Sequence, residues 1–189
     1  MPTTVQFISN VDAWKKALEQ AGKKVKLIKP EHCKHEGQLL GCSIKRFKAD
    51  FDAFLYVGDG LFHPKALMLK NDKPVFAYDP FSKRFSKIDK KDVERMQGRV
   101  IGALTKFIAS KEIGVLVSTK PGQNRMKQAY ELEKRYPDKN FYLLLSDTID
   151  FSELENYPFI ECFVNTACPR IGYDEHENIG KPVVNIGDI

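Results

Sequence analysis

Phe159-Ile160-Glu161-Cys162-Phe163-Val164-Asn165-Thr166-Ala167-Cys168-Pro169-Arg170 is the stretch on which the reading of the chain turns. Its first half is apolar and aromatic at the density of a strand inside a sheet. It then passes into small residues and stops at Cys168-Pro169, because proline has no N–H to give to a ladder. A cysteine at the mouth of a buried strand is placed for chemistry or for metal ligation. Cys162, alternating with Ile160 and Val164, reads instead as a thiol of the core.

Working outward, the same pattern occurs earlier. Phe51-Asp52-Ala53-Phe54-Leu55 and Lys73-Pro74-Val75 recur, at a similar separation, as Phe159-Ile160-Glu161-Cys162-Phe163 and Lys181-Pro182-Val183. Thr3-Thr4-Val5-Gln6 answers Ser118-Thr119-Lys120-Pro121-Gly122-Gln123. Similar buried strands look alike by composition, and duplication is the other explanation. Periodicity and breakers predict strands over 3–8, 24–28, 51–57, 74–78, 113–118, 141–145, from Phe159, and over 182–186. Helices are predicted over 11–21, capped by Asn10 and closed by Gly22, and over 62–70, 91–110 and 125–135, with a helical turn at 152–156. The alternation implies an α/β protein of two related small domains, each a parallel β-sheet flanked by helices. Residues 1–88 carry Cys42 and residues 89–189 carry Cys168, with the run Lys83 to Lys91 read as a polar linker. In the second half the Ser-Thr loop follows a complete strand and a long helix. In the first half it sits at residue 3, so a fragment or one gene of a split protein is expected.

Composition narrows the class. A chain of 189 residues holds one medium domain or two small ones. Its 42% hydrophobic and 29% charged residues are ordinary for a globular protein. No apolar run approaches the ~20 residues that span a bilayer. Met1 to Gln6 has neither a basic nor an apolar leader region. The expected location is therefore cytoplasmic, without a membrane partner, and the four cysteines read as reduced thiols or ligands. The net charge of +5 is spread over helix faces and loops, which suits a solvated surface better than direct nucleic-acid binding.

In open parallel sheets, ligands bind outside the carboxyl ends of the strands. Gly58-Asp59-Gly60, Ser118 to Gln123, Asp147 and Thr166 to Arg170 all fall there. Gly58-Asp59-Gly60 before a helix is a plain turn or a cradle of backbone N–H groups for an anion. Thr119-Lys120-Pro121-Gly122-Gln123 is a capped turn or a carboxylate site, and it lacks the spacing of a nucleotide-binding P-loop. His63, ahead of Pro64, is a structural or a catalytic imidazole. His176, in an acidic loop, reads as a solvated surface residue. Neither Cys33 with Cys42 nor Cys162 with Cys168 has the C-x-x-C spacing of a zinc knuckle. Cys42, between Gly41 and Ser43, has little to shield its sulfur. If the two halves pack together, Cys42 and Cys168 converge on one metal centre, and iron–sulfur clusters take such thiolates. The rival is a small zinc site of His32, Cys33, His35 and Cys42.

With these residues in place, the sequence resembles the archaeal-type diphthamide synthases, the 2-(3-amino-3-carboxypropyl)histidine synthases, over essentially its whole length. The resemblance rests on Gly37-Gln38-Leu39-Leu40-Gly41-Cys42, Gly58-Asp59-Gly60-Leu61-Phe62-His63-Pro64, Asp79-Pro80, Val117 to Gln123, and Val164 to Arg170, in the family's order. It implies three related α/β domains in a dimer, each domain giving one cysteine to a [4Fe–4S] cluster. It implies a noncanonical radical reaction in which S-adenosylmethionine yields a 3-amino-3-carboxypropyl radical and methylthioadenosine. The radical adds to the imidazole of one histidine in translation elongation factor two. By motif match Cys42 and Cys168 are the second and third cluster ligands. By position at the strand ends, Gly58, Gly60, His63, Thr119, Lys120, Gly122, Gln123 and Arg170 are expected to bind substrate. The family's first domain, with the first cluster cysteine, has no counterpart here. A further chain or domain is expected to supply that cysteine, and Cys33 is close enough in sequence to stand in for it. The alternative is a non-catalytic partner of the synthase, which retention of both cysteines argues against.

Overall fold

The computed structural model describes residues 1–189 apart from 44, 49 and 175–178, and apart from the side chains of Asp92 and Asp174. His176 thus lies outside the described residues. The chain divides into two compact units, Met1–Glu94 and Arg95–Ile189. Among the described residues no helix is long and apolar enough to cross a membrane.

In the first unit a 3-10 turn, Val5–Asn10, runs straight into helix α1, Val11–Gln20. Asn10 already has helical backbone angles and makes no side-chain cap, so the expected N-cap is replaced by the preceding turn. Gly22 does close the helix: at φ +76° it donates to the Glu19 carbonyl while Lys23 N–H reaches back to Leu18. That is the paired bonding of a Schellman C-terminus, whose left-handed residue glycine adopts without a Cβ clash. Strand β1 (Phe54–Val57), helix α2 (Phe62–Leu69), strand β2 (Val75–Asp79) and strand β3 (Arg84–Lys87) follow. β1 and β2 are parallel, Phe54 pairing with Val75 and Val57 with Tyr78.

β3 pairs antiparallel with β2 at the sheet edge. The lysine-rich run is therefore a strand for part of its length, not a linker. All four β3 residues are exposed, which erases the alternation that would have marked it. Two other expected strands also differ. Of Thr3–Ile8, Thr3 alone carries bridges, parallel to Val57 and to Gln38, before the chain winds into its turn. Lys24 to Ile28 forms no ladder: Val25, Leu27 and Ile28 are half-buried on an irregular segment.

The second unit holds most of α3 (Lys91–Ala109), then β4 (Glu112–Ser118), α4 (Met126–Arg135), β5 (Asn140–Ser146), β6 (Cys162–Asn165), α5 (Arg170–Asp174) and β7 (Val183–Asn185). Its four strands are parallel in the order β5-β4-β6-β7. β4 is buried from Ile113 to Ser118 because both faces of the sheet are covered, as a parallel sheet requires. One face packs Val115, Val117, Cys162 and Val164 against Ala103 and Phe107 of α3 and Ala129 and Leu132 of α4. The other packs Leu116, Phe163 and Val183 against Leu154, Ile160 and Ile179. Ile160 thus lies on the face opposite Cys162, since it precedes the strand. A Cβ on Gly114 would come within 2.5 Å of the Phe163 ring, so glycine at this point of β4 makes room for that ring. Burying a side chain such as Phe163 contributes about 1.5–3 kcal/mol.

Candidate functional site

In the first unit, the loops leaving the strand ends meet around α2. Leu40–Ser43 form a turn, with Ser43 N–H donating to the Leu40 carbonyl (2.9 Å) and Leu40 N–H to Ser43 Oγ (3.3 Å). Cys42 sits exposed on that turn. A Cβ on Gly41 would overlap the Phe62 ring, so the Cys42 turn packs directly on the first residue of α2. The stretch from Gly58 to Leu61 is the neighbouring loop. Gly58 is buried, and Gly60 is exposed with φ +65°, a left-handed conformation that favours glycine. Tyr56 donates its hydroxyl to the Asp59 carbonyl (3.2 Å), and burial raises that phenol's pKa. His63, half-buried, stacks on Tyr56 with ring centroids 6.0 Å apart and meets Phe62 edge-on at 5.2 Å. Cys42, Gly58, Gly60 and His63 therefore share one end of the first unit.

Gln38 holds the preceding loop in shape: its buried side-chain oxygen accepts from Lys34 N–H (2.9 Å) and His35 N–H (3.0 Å). Cys33 is folded into the core, 8% exposed. Among the described residues no three His, Cys, Asp or Glu side chains group to hold a metal ion. His32, Cys33, His35 and Cys42 are all described, so the rival zinc site is not formed. Burial of Cys33 equally argues against its use as a substitute ligand.

The second unit gathers its loops at the carboxyl ends of β4, β5 and β6. Thr119 N–H donates to Ser146 O (3.0 Å), extending the β4–β5 ladder by one bond. Lys120 N–H donates to Ser118 Oγ (3.2 Å), and Gln123 N–H closes the turn on Lys120 O (3.1 Å). Gly122 within it has φ +77°. Lys120 Nζ lies 3.2 Å from Thr148 Oγ1, joining the loops after β4 and β5. Asp147 is exposed beside them.

Cys168 is half-buried on the loop after β6. Thr166 anchors that loop through its hydroxyl and its N–H, both on the Leu116 carbonyl (2.8 and 3.0 Å). Asn165, 1% exposed, accepts from Ala167 N–H (3.0 Å) and donates to the Cys168 carbonyl (2.8 Å). Ile171 N–H reaches the same carbonyl (3.0 Å), and buried Arg170 opens α5. Asn165 and its partner in the ladder, Asn185, have no expected role in the sequence, and only the register of β6 with β7 brings them together.

The four thiols fall into two kinds, and none is in a disulfide. Cys33 and Cys162 are buried, and burial pushes the Cys162 pKa up to about 12. Burial of that kind favours the neutral thiol over the thiolate. Cys42 is exposed and Cys168 half-buried, one in each unit, on loops fixed by side-chain bonds. Cysteines left outside the core are of the donor type that iron–sulfur clusters take.

A repeated α/β scaffold with a parallel sheet in the second unit, and in each unit one cysteine left outside the core on a loop, is the class of protein that the structure defines. All of residues 1–189 match the diphthamide synthesis protein family, and the chain belongs to that family. It is 33% identical over 185 residues to the 2-(3-amino-3-carboxypropyl)histidine synthase of Pyrococcus horikoshii, covering 96% of this chain and 53% of that protein. Subunit 1 of the same synthase from Gallus gallus is 32% identical, over 99% of this chain and 47% of that protein. The crystal structure of Dph2 from Pyrococcus horikoshii with a 4Fe-4S cluster superimposes with a TM-score of 0.82 at 31% identity, covering 99% of this chain and 54% of that one. The chain thus spans about half the length of these relatives.

Proposed function

We propose that the two units are the family's second and third domains, and that Cys42 and Cys168 supply two of the three thiolates of a [4Fe–4S] cluster. The observation that carries this reading is the division of the cysteines, one buried in each unit and the other, Cys42 exposed and Cys168 half-buried, left outside the core. The third thiolate is supplied by the part of the relatives that this sequence does not span. The reaction is the first step of diphthamide synthesis, in a cytoplasmic dimer. The 3-amino-3-carboxypropyl group of S-adenosylmethionine is transferred to the imidazole of a histidine in translation elongation factor two. When bound, the cluster supplies the electron that opens the sulfonium.

The chain's own residues bind and orient. The turn Thr119 to Gln123 offers backbone N–H groups around left-handed Gly122. Lys120, whose ammonium donates to a neutral hydroxyl, brings a positive charge for the substrate carboxylate. Gly58 and Gly60 let substrate approach the backbone on the other unit, with His63 held beside them by Tyr56. Arg170, buried next to the Cys168 loop, brings a second positive charge.

Anaerobic reconstitution with iron and sulfide, the remaining domain supplied, tests the assignment. Cys42→Ala and Cys168→Ala each should lower visible cluster absorbance sharply, and the double variant should abolish it. Unchanged iron uptake in the double variant overturns the reading.

A further inference from the structure

Behind Cys168 runs a chain of polar groups, buried at its middle, with a fixed direction. Asp188 is an acceptor at both carboxylate oxygens when ionised. It takes the Tyr173 hydroxyl (2.9 and 3.1 Å) and faces Asn185 Nδ2 at 3.4 Å. That contact turns the Asn185 amide so that its oxygen, not its nitrogen, points at Asn165, where it accepts from Asn165 Nδ2 at 2.7 Å. Asn165 is thereby turned in the same sense. Its nitrogen also donates to the Cys168 carbonyl (2.8 Å), and its oxygen accepts from Ala167 N–H (3.0 Å). Both amides are buried, at 1% and 5% exposure. Helix α5 is brought hard against Asn185 by Gly172, where any Cβ would lie 2.6 Å from the amide. The links of Asn165 to Asn185 and to Ala167 are buried and those to Cys168 and Asp188 part-buried, so a mismatched donor or acceptor at Asn165 has little water to turn to.

We infer that Asn165 and Asn185 are positioning residues that hold the Cys168 loop in its ligating shape, acting through the Cys168 carbonyl. This rests on the reading of Cys168 as a cluster ligand. It goes beyond that reading by assigning two buried amides of β6 and β7 to the thiol's placement. A ligand sulfur on a loop is placed only as well as the backbone beneath it. Here that backbone is tied to two strands and to the turn after β7. The Asn165→Asp exchange keeps the size of the side chain and its bond from Ala167. It sets an oxygen against the Cys168 carbonyl and against the Asn185 oxygen. Asn185 cannot turn to compensate without presenting its own oxygen to Asp188.

The test uses the whole chain free of metal, treated with iodoacetamide, with Cys168 and Cys42 alkylation followed separately by peptide mass spectrometry. Asn165→Asp should raise the Cys168 rate about fivefold or more, the scale of one lost hydrogen bond. Asn185→Ala should raise it by a smaller factor, and the Cys42 rate should stay put as the internal standard. Reconstituted Asn165→Asp protein should also show an altered cluster absorbance per iron. If Asn165→Asp fails to fold by circular dichroism, Asn185→Ala carries the test alone. A Cys168 rate within about twofold of wild type in a folded variant overturns the positioning role, since that is less than one hydrogen bond is worth, and leaves the ligand assignment standing. Unchanged iron uptake in Cys168→Ala overturns the ligand assignment, whatever the alkylation rates.

Discussion

From Gln38 onward the two units repeat one plan at one offset, and they differ where the unburied cysteines lie. β1 and β6 begin at 54 and 162, α2 and α5 at 62 and 170, β2 and β7 at 75 and 183. The same offset carries Gln38, bridged to Thr3, onto Ser146, which pairs with Ser118. Yet it carries Cys42 onto Asp150 and Gly60 onto Cys168. Each unit places its unburied cysteine on a different one of its two equivalent loops. The repeated element is the scaffold of strand ends, and the cysteine does not follow the repeat. The units also differ in depth of burial. The second sheet is covered on both faces, whereas the first unit ends in an exposed antiparallel edge strand.

The largest test of that difference exchanges counterpart residues. Phe163 is fully buried, while Leu55, its counterpart, is half-buried. Phe163→Ala should destabilise the second unit by about 3–5 kcal/mol through lost burial and the cavity left behind. Leu55→Ala should cost the first unit about 2 kcal/mol or less, at the low end of buried leucine truncations. Trp14, the single tryptophan, lies in the first unit and reports its unfolding in urea, while circular dichroism reports the whole chain. Equal shifts of the two midpoints for both variants would break the contrast in core depth.

A smaller effect is expected at Lys181. Its ammonium caps three carbonyls, those of Tyr157 (2.8 Å), Pro158 (3.0 Å) and Ile160 (2.6 Å), just ahead of β6. Its counterpart, Lys73, is exposed. Lys181→Met should cost about 1.5–3 kcal/mol, the range for hydrogen bonds from a charged donor. Lys73→Met should fall within about 0.5 kcal/mol of wild type, as surface changes do. Comparable losses in thermal melts of the two variants would show that Lys181 has no special role in shaping the loop before β6.

The repeat explains what the sequence disclosed and what it hid. Ile113 to Val117 and Cys162 to Val164 announced buried parallel strands because side chains inside a doubly covered sheet are apolar without interruption. Cys168 was legible because proline marks where such a strand must stop. Arg84 to Lys87 was illegible because an edge strand with every side chain in water has no pattern to show. Val5 to Ile8 misled because apolar Val5 and Phe7, two residues apart, read as one face of a strand, whereas the 3-10 turn buries Phe7 and leaves Val5 61% exposed. Asn165 and Asn185 went unread because a buried amide is conspicuous only once its register partner is known. Their pairing is a fact of the ladder, not of local sequence.

The smallest expected effect concerns acid. Glu161, whose counterpart is Ala53, accepts the N–H groups of Glu112 (3.1 Å) and Lys111 (2.7 Å) where β4 begins. Those two bonds, from Glu112 and then Lys111, hold its carboxyl below the ordinary glutamate value of 4.5, with Lys106 and Lys139 adding attraction. A carboxylate depressed by folding contributes stability that is present above its unfolded pKa and is lost as pH falls through the folded one. The second unit should therefore weaken as pH drops below about 4.5, and Glu161→Gln should flatten that limb while lowering the plateau near neutrality. In the first unit the matching role falls to Asp79, held low by the Ser82 hydroxyl and then the Phe81 N–H, at a turn with no relation to the repeat. Asp79→Asn should flatten the acid limb seen by Trp14 fluorescence, and Glu161→Gln should leave that limb unchanged. If Glu161→Gln flattens both limbs, the two units do not unfold separately, and the comparison between them must be made on the whole chain.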